Sequence, residues 1–135
     1  MTQPDAPSCP AGVPALARVQ LRAATFYLIA GLVLGIVMAA SGDFTLKGVH
    51  GHIHLLGWVT LALTGVVYAL APDLAEGALA HWHVVLHNLG LPIMLVALAA
   101  YLSGVAAAEP GIAVGAVLST AGLGPFTLAI WRALI

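Results

Sequence analysis

The chain has 135 residues, of which 61% are hydrophobic and only 7% charged, with a net charge of −1. Soluble domains carry about 25% charge, so this composition excludes a fold whose whole surface faces water, and lipid becomes the solvent for much of it. A near-neutral chain also offers no basic face for nucleic acid.

Residues 1–18 form a leader rich in proline (Pro4, Pro7, Pro10 and Pro14) with no apolar run. It reads as a disordered or interfacial tail rather than a signal peptide, turning helical near Ala15. Its one cysteine, Cys9, has no partner for an intrachain disulfide. The remainder, 19–135, reads as one transmembrane domain. A helix needs about 20 apolar residues to cross the hydrocarbon core, and four stretches qualify: 21–41, 48–71, 80–103 and 110–134. The breaks SGDFTLKG, PDLAEG and GVAAAEPG hold turn residues and charges. The expected fold is therefore all-α, an integral membrane four-helix up-and-down bundle with antiparallel neighbours. The apolar runs are about twice the length a tilted barrel strand requires.

Basic residues set the expected orientation. Arg18, Arg22 and Arg132 collect on one side and Lys47 stands alone on the other. Both termini are then cytoplasmic, and the second span runs from outside to inside. Gly31 and Gly35, like Gly111 and Gly115, have the spacing of close helix approach or of a dimer face. Pro92 and Pro125 interrupt spans three and four.

All six histidines lie between positions 50 and 87. Ionisable groups inside spans are rare and usually functional; the alternative is that rings near helix ends reach the headgroups. At ~100° per residue, His50 and His54 share a face and His52 points the other way. The i, i+4 pair suits one metal ion, whereas display on two faces suits two cofactors, or one cofactor and a neighbouring chain. His83 and His87 also share a face, with His81 and Trp82 reading as an interfacial belt. Counted from the span ends at ~1.5 Å per residue, His54 and His87 differ in depth by roughly 15 Å, which implies two levels of sites. Met38 near the outer level is a further candidate ligand for haem iron or Cu(I).

The stretch VHGHIHLLGWVTLALTGVVYALAP, Val49 to Pro72, resembles the tenth helix of subunit I of haem-copper oxidases, especially the C-family and nitric-oxide-reductase-like members. There an H-x-H pair precedes Gly-Trp as His50 and His52 precede Gly57 and Trp58 here, and Trp82 and His83 resemble the start of the following helix. The whole chain is similar to short four-span bacterial proteins of the subunit I-like type. The resemblance implies haem, with His50 as ligand on one side of the helix and His52 on the other, near the outer face. It gives His54 and His83 no ligand role. The chain departs from that family in lacking the helices that carry its copper histidines and its second low-spin ligand; spans one and four contain no histidine. No complete oxygen-reducing centre fits in one chain, so whether it is an enzyme is left open, and a bis-histidine haem needs a ring from a second copy.

Three functions follow as expectations. The first is a transmembrane b-type cytochrome in the bacterial inner membrane, binding haem b through His50, His52 and His54. It would be a homo-oligomer serving electron transfer from a respiratory-chain donor, or gas or haem sensing. The second is a copper or zinc protein for metal handling, with ligands drawn from His50, His52, His54, Met38, His83 and His87. The third is an accessory or assembly subunit of a respiratory complex.

Overall fold

The computed structural model describes residues 12–135. Among them all regular structure is helical: four long apolar helices form an all-α bundle, and the chain is a multi-pass membrane protein by their length and composition. Most of the expected 1–18 tail lies outside the described residues.

The first span runs Ala15–Ser41. It starts well before the expected residue 21, because Ala15, Leu16, Ala17, Arg18 and Gln20 are adequate or strong helix formers, and a helix continues past the hydrocarbon edge that an apolar count detects. Residues 15–18 of the expected tail therefore belong to the helix. Gly42, in the left-handed region at φ 69°, closes this span with its N–H on the Met38 carbonyl. In the following loop Asp43 accepts from the Thr45 hydroxyl at 2.6 Å and the Thr45 N–H at 2.9 Å. Those two bonds, the hydroxyl first, hold its carboxyl below the ordinary carboxylate range.

The second span runs Lys47–Leu70. It is α-helical over Lys47–His52, π-helical over Ile53–Val59, and α-helical again over Thr60–Leu70. The Leu55 carbonyl takes the Thr60 N–H and also the Thr60 hydroxyl, at 2.8 Å. Pro72 ends this span and opens a single turn, Pro72–Glu76, with Asp73 at its positive end. The third span runs Ala78–Leu102 and the fourth Glu109–Ala133, and each continues through its internal proline, Pro92 and Pro125.

Contacts between neighbours run in opposite senses, as expected for an up-and-down bundle. A Cβ built on Gly35, Gly31, Gly57 or Gly65 would meet His50, His54, Tyr27 and Leu21 respectively. Residue numbers thus rise on the first span as they fall on the second. The glycines of each helix receive the large side chains of the other. Between spans three and four the backbones themselves touch. A Cβ on Gly115 would collide with the Met94 backbone nitrogen, and one on Gly90 with the Ser119 backbone nitrogen. Gly111 and Gly115, a dimer-type pair in sequence, are thus used within the chain, against Ala97 and Met94.

The result is two tightly packed hairpins, spans one with two and spans three with four, meeting along a sparser seam. Leu61, Leu91, Met94 and Leu95 fill one part of the apolar core, and Tyr68, Ala80 and Val84 another. The outer faces carry exposed apolar side chains such as Phe26, Ile36, Val96 and Leu70, a surface suited to lipid.

Gly115→Val should lower the unfolding free energy in mixed micelles by about 1–3 kcal/mol through overpacking. Gly124→Ala, where a Cβ meets open space, should leave it within about 0.5 kcal/mol.

Candidate functional site

The histidines divide into two pairs, His50 with His54 and His83 with His87, and two single exposed rings, His52 and His81. His50 and His54 face the first span, and their rings meet edge to face with centroids 4.6 Å apart. The helical-face argument for this pair therefore holds even though His54 lies in the π-helical stretch. Each ring sits where a glycine leaves room. A Cβ on Gly31 would lie 2.5 Å from His54 Nε2, and one on Gly35 3.0 Å from His50 Cε1. The Gly31–Gly35 pair is therefore a seat for two imidazoles.

His50 Nδ1 is 3.1 Å from the Gly31 carbonyl. A carbonyl only accepts, so Nδ1 carries the proton and Nε2 keeps its lone pair. Met38 is buried one turn beyond Gly35. His52 is exposed on the other side, with Nδ1 2.7 Å from the Gly48 carbonyl one turn back. Its Nε2 is thereby also the free, ligand-type nitrogen, and nothing on the first span covers it.

In the third span His81 and Trp82 are exposed near the helix start, with His81 Nδ1 3.2 Å from the Gly77 carbonyl. This is the arrangement expected at a headgroup level. His83 and His87 are fully buried. His87 Nε2 donates to the Leu56 carbonyl at 3.2 Å, while Nδ1 lies 3.1 Å from both the carbonyl and the hydroxyl oxygen of Ser119. One ring thus joins spans two, three and four. His83 Nδ1 shares a hydrogen bond with the Tyr68 hydroxyl at 2.8 Å. Phe126 lies tilted against His83 with centroids 5.0 Å apart and meets the Tyr68 ring edge to face. His83 Nε2 is buried without a partner, an arrangement that ordinarily costs about 1–3 kcal/mol.

The contact of His87 with Leu56, two residues on from His54, corrects the depth expectation of roughly 15 Å. That count treated the spans as flush rods and ignored how far an imidazole reaches from its own backbone.

A second polar chain crosses the seam and was not singled out from sequence. Fully buried Gln20 donates to the Thr64 hydroxyl at 3.1 Å and accepts from Asn88 at 2.6 Å. Asn88 also donates to the Val84 carbonyl at 2.8 Å. The available signal was an amide beside His87 in mid-span, together with a glutamine at the edge of an apolar run, which the predicted boundary left outside the helix.

Among the described residues no three His, Cys, Asp or Glu side chains converge as a metal site. His50 with His54, and His83 with His87, are pairs. His52 stands apart from both. No family model, curated protein or solved structure matches the chain.

His87→Ala should lower the unfolding free energy by about 1–3 kcal/mol, because the Leu56 carbonyl loses its donor. His52→Ala, in protein purified without added metal or haem, should change it by no more than about 0.5 kcal/mol. Equilibrium unfolding in mixed micelles separates the two.

Proposed function

We propose that the chain is a transmembrane b-type cytochrome, holding haem through His52 at a contact between copies of itself. The observation that carries this reading is the state of the His52 ring. Its Nδ1 proton is committed to Gly48 at 2.7 Å, and its Nε2 faces outward from an exposed helix face. Haem-ligating histidines are oriented and made more basic by this kind of Nδ1 bond. An imidazole in this setting is costly against lipid and calls for a partner. His81 has a similar bond but sits closer to its helix end beside exposed Trp82, so it serves as the internal comparison.

The residues fit a haem on the His52 side better than on the His50 side. His50 also has its Nδ1 committed, but the rings of His50 and His54 rest against the first span at van der Waals distance. A macrocycle enters there only if the spans part. Apart from His81 at its helix start, His52 is the exposed histidine of the chain, so a second axial imidazole would come from another copy and the reading requires a homo-oligomer. When bound, haem would supply a one-electron centre whose potential depends on its axial ligands. The protein supplies His52, the committed tautomer and the dry setting. Electron transfer from a respiratory donor, or sensing of a gas or of haem itself, suits a chain without a complete oxygen-reducing centre. The bacterial inner membrane with both termini cytoplasmic is the location that the resemblance and the charge distribution favour.

A second reading is supported by the edge-to-face pair of His50 and His54, with centroids 4.6 Å apart. Two imidazoles one turn apart, with Met38 nearby in sequence register, make the beginnings of a copper or zinc site for metal handling.

Optical spectra of oxidised and reduced protein purified from haem-replete cells separate these readings. The haem reading expects a Soret band at stoichiometric intensity, lost or strongly weakened in His52→Ala and kept in His81→Ala. Colourless protein retaining copper, with retention lost in His54→Ala, would replace it with the metal reading.

A further inference from the structure

The π-helical stretch Ile53–Val59 separates the outer histidines of the second span from its inner half. Where the stretch ends, the Thr60 N–H pairs five residues back, with the Leu55 carbonyl. In the α-helix Thr60–Leu70 pairing is four residues back, so the Leu61 N–H looks to Gly57. The Leu56 carbonyl lies between the two and is passed over. His87 supplies the missing donor from the third span, with Nε2 at 3.2 Å. The Ser119 hydroxyl holds the other ring nitrogen at 3.1 Å. The backbone that carries the ring is equally fixed, since a Cβ on Gly122 would stand 2.7 Å from the His87 nitrogen. The donor is thus built into the hairpin of spans three and four. The carbonyl that it satisfies is free only while the turn stays widened.

The widened turn decides where HGHIH faces. His50 and Tyr68 are eighteen residues apart. At ~100° per residue that makes about five whole turns, so a straight α-helix would point both rings the same way. They point to different neighbours. His50 sits over Gly35 with its Nδ1 on the Gly31 carbonyl of the first span, whereas Tyr68 reaches His83 on the third. A π-helical stretch acts as one inserted residue and turns one side of the helix against the other by about 100°. Were the pairing α throughout, with Tyr68 kept on His83, His50 would swing off its glycine seat towards the third span. His52 would swing with it, away from its exposed face.

We infer that His87 is a positioning residue for His52: by satisfying the Leu56 carbonyl it holds the widened turn, and the widened turn aims His52 outward. The consequence for haem rests on His52 being the iron ligand; the aim of the ring does not. The Thr60 hydroxyl, on the Leu55 carbonyl at 2.8 Å, supports the same turn from within the span but leaves Leu56 unpaired, so it does not replace His87.

The test is oriented-sample nitrogen magnetic resonance of the full-length protein in aligned phosphatidylcholine bilayers. Amide labels from Val49 to His52 and from Val66 to Tyr68 read the rotation of each segment about the helix axis. In the unaltered protein the two segments should be out of α-helical phase by about 100°. His87→Leu should remove most of that offset, and His87→Gln, which keeps an N–H donor, should restore it. In protein from haem-replete cells the Soret band should be lost or strongly weakened in His87→Leu and recovered in His87→Gln. Removal of Leu55 separates positioning from mere stabilisation. The shortened span pairs Thr60 with Leu56 in α-helical fashion and keeps the native phase without a widened turn. His87→Leu added to that deletion should therefore leave both the phase and the Soret band intact, and this double variant carries the test where His87→Leu alone does not fold. An offset unchanged in His87→Leu, a native phase lost in the double variant, or a full Soret band in a variant whose offset has collapsed overturns the positioning role. The native offset in unaltered protein that binds no haem overturns the iron-ligand reading of His52 instead, and the offset in His87→Leu still decides the positioning.

Discussion

His87 makes the contact on which the arrangement of the spans depends: one imidazole bonds the backbones of two neighbouring helices inside a hydrocarbon solvent. Lipid offers no partner for a stray carbonyl, and each unsatisfied group costs several kcal/mol. The Leu56 carbonyl lies in the π-helical stretch Ile53–Val59, where the regular pairing of the second span is interrupted. His87 reaches it from the third span while holding Ser119 on the fourth. Spans three and four meet through glycine with their backbones in contact, and spans one and two interlock side chain into glycine. The seam between the hairpins is filled by apolar side chains, Leu61 with Leu91, Met94 and Leu95 among them, and is crossed by polar groups at His87, at Tyr68 with His83, and along Thr64, Gln20 and Asn88. Apolar packing alone would bind the two hairpins little better than lipid binds each of them.

The same seam explains why the two groups of histidines differ in character. His50 and His54 belong to a hairpin interface already closed by Gly31 and Gly35, and they are held there as packed rings. His52 is left on the opposite face with its lone pair outward. His83 and His87 lie in the one part of the bundle where polar groups concentrate. A protein with few charges thus keeps an outward-facing imidazole apart from a buried, hydrogen-bonded pair.

Much of the architecture was legible because lipid imposes a simple length requirement. Twenty apolar residues between turn signals leave little choice but a spanning helix, and four such runs with short breaks leave little choice but antiparallel neighbours. The division of HGHIH between two faces followed from the helical period, since His54 is only the second residue of the π-helical stretch and its ring still meets that of His50. Other features depend on partners that local sequence does not reveal. The π-helical stretch has no signature in IHLLGWV; its neighbour His87, thirty-one residues on, bonds its backbone. The spacing of Gly31 and Gly35 announced close approach but not what approaches, and the occupants proved to be imidazoles. Gln20 escaped notice because hydrophobic counting ends a span where polar residues begin, whereas the helix continues and buries that amide against Thr64 and Asn88. The depth of His87 was misjudged because stagger between helices is a property of their packing and not of either sequence.

The central claim is that His52 grips iron porphyrin between copies of this chain, and an experimental map of the assembled protein in a lipid nanodisc tests it most directly. The account predicts more than one copy, with a planar macrocycle whose metal lies against His52 Nε2 while His50 and His54 remain seated on the first span. A map in which every His52 meets only acyl chains or headgroup water, with no prosthetic group in any copy, would contradict it.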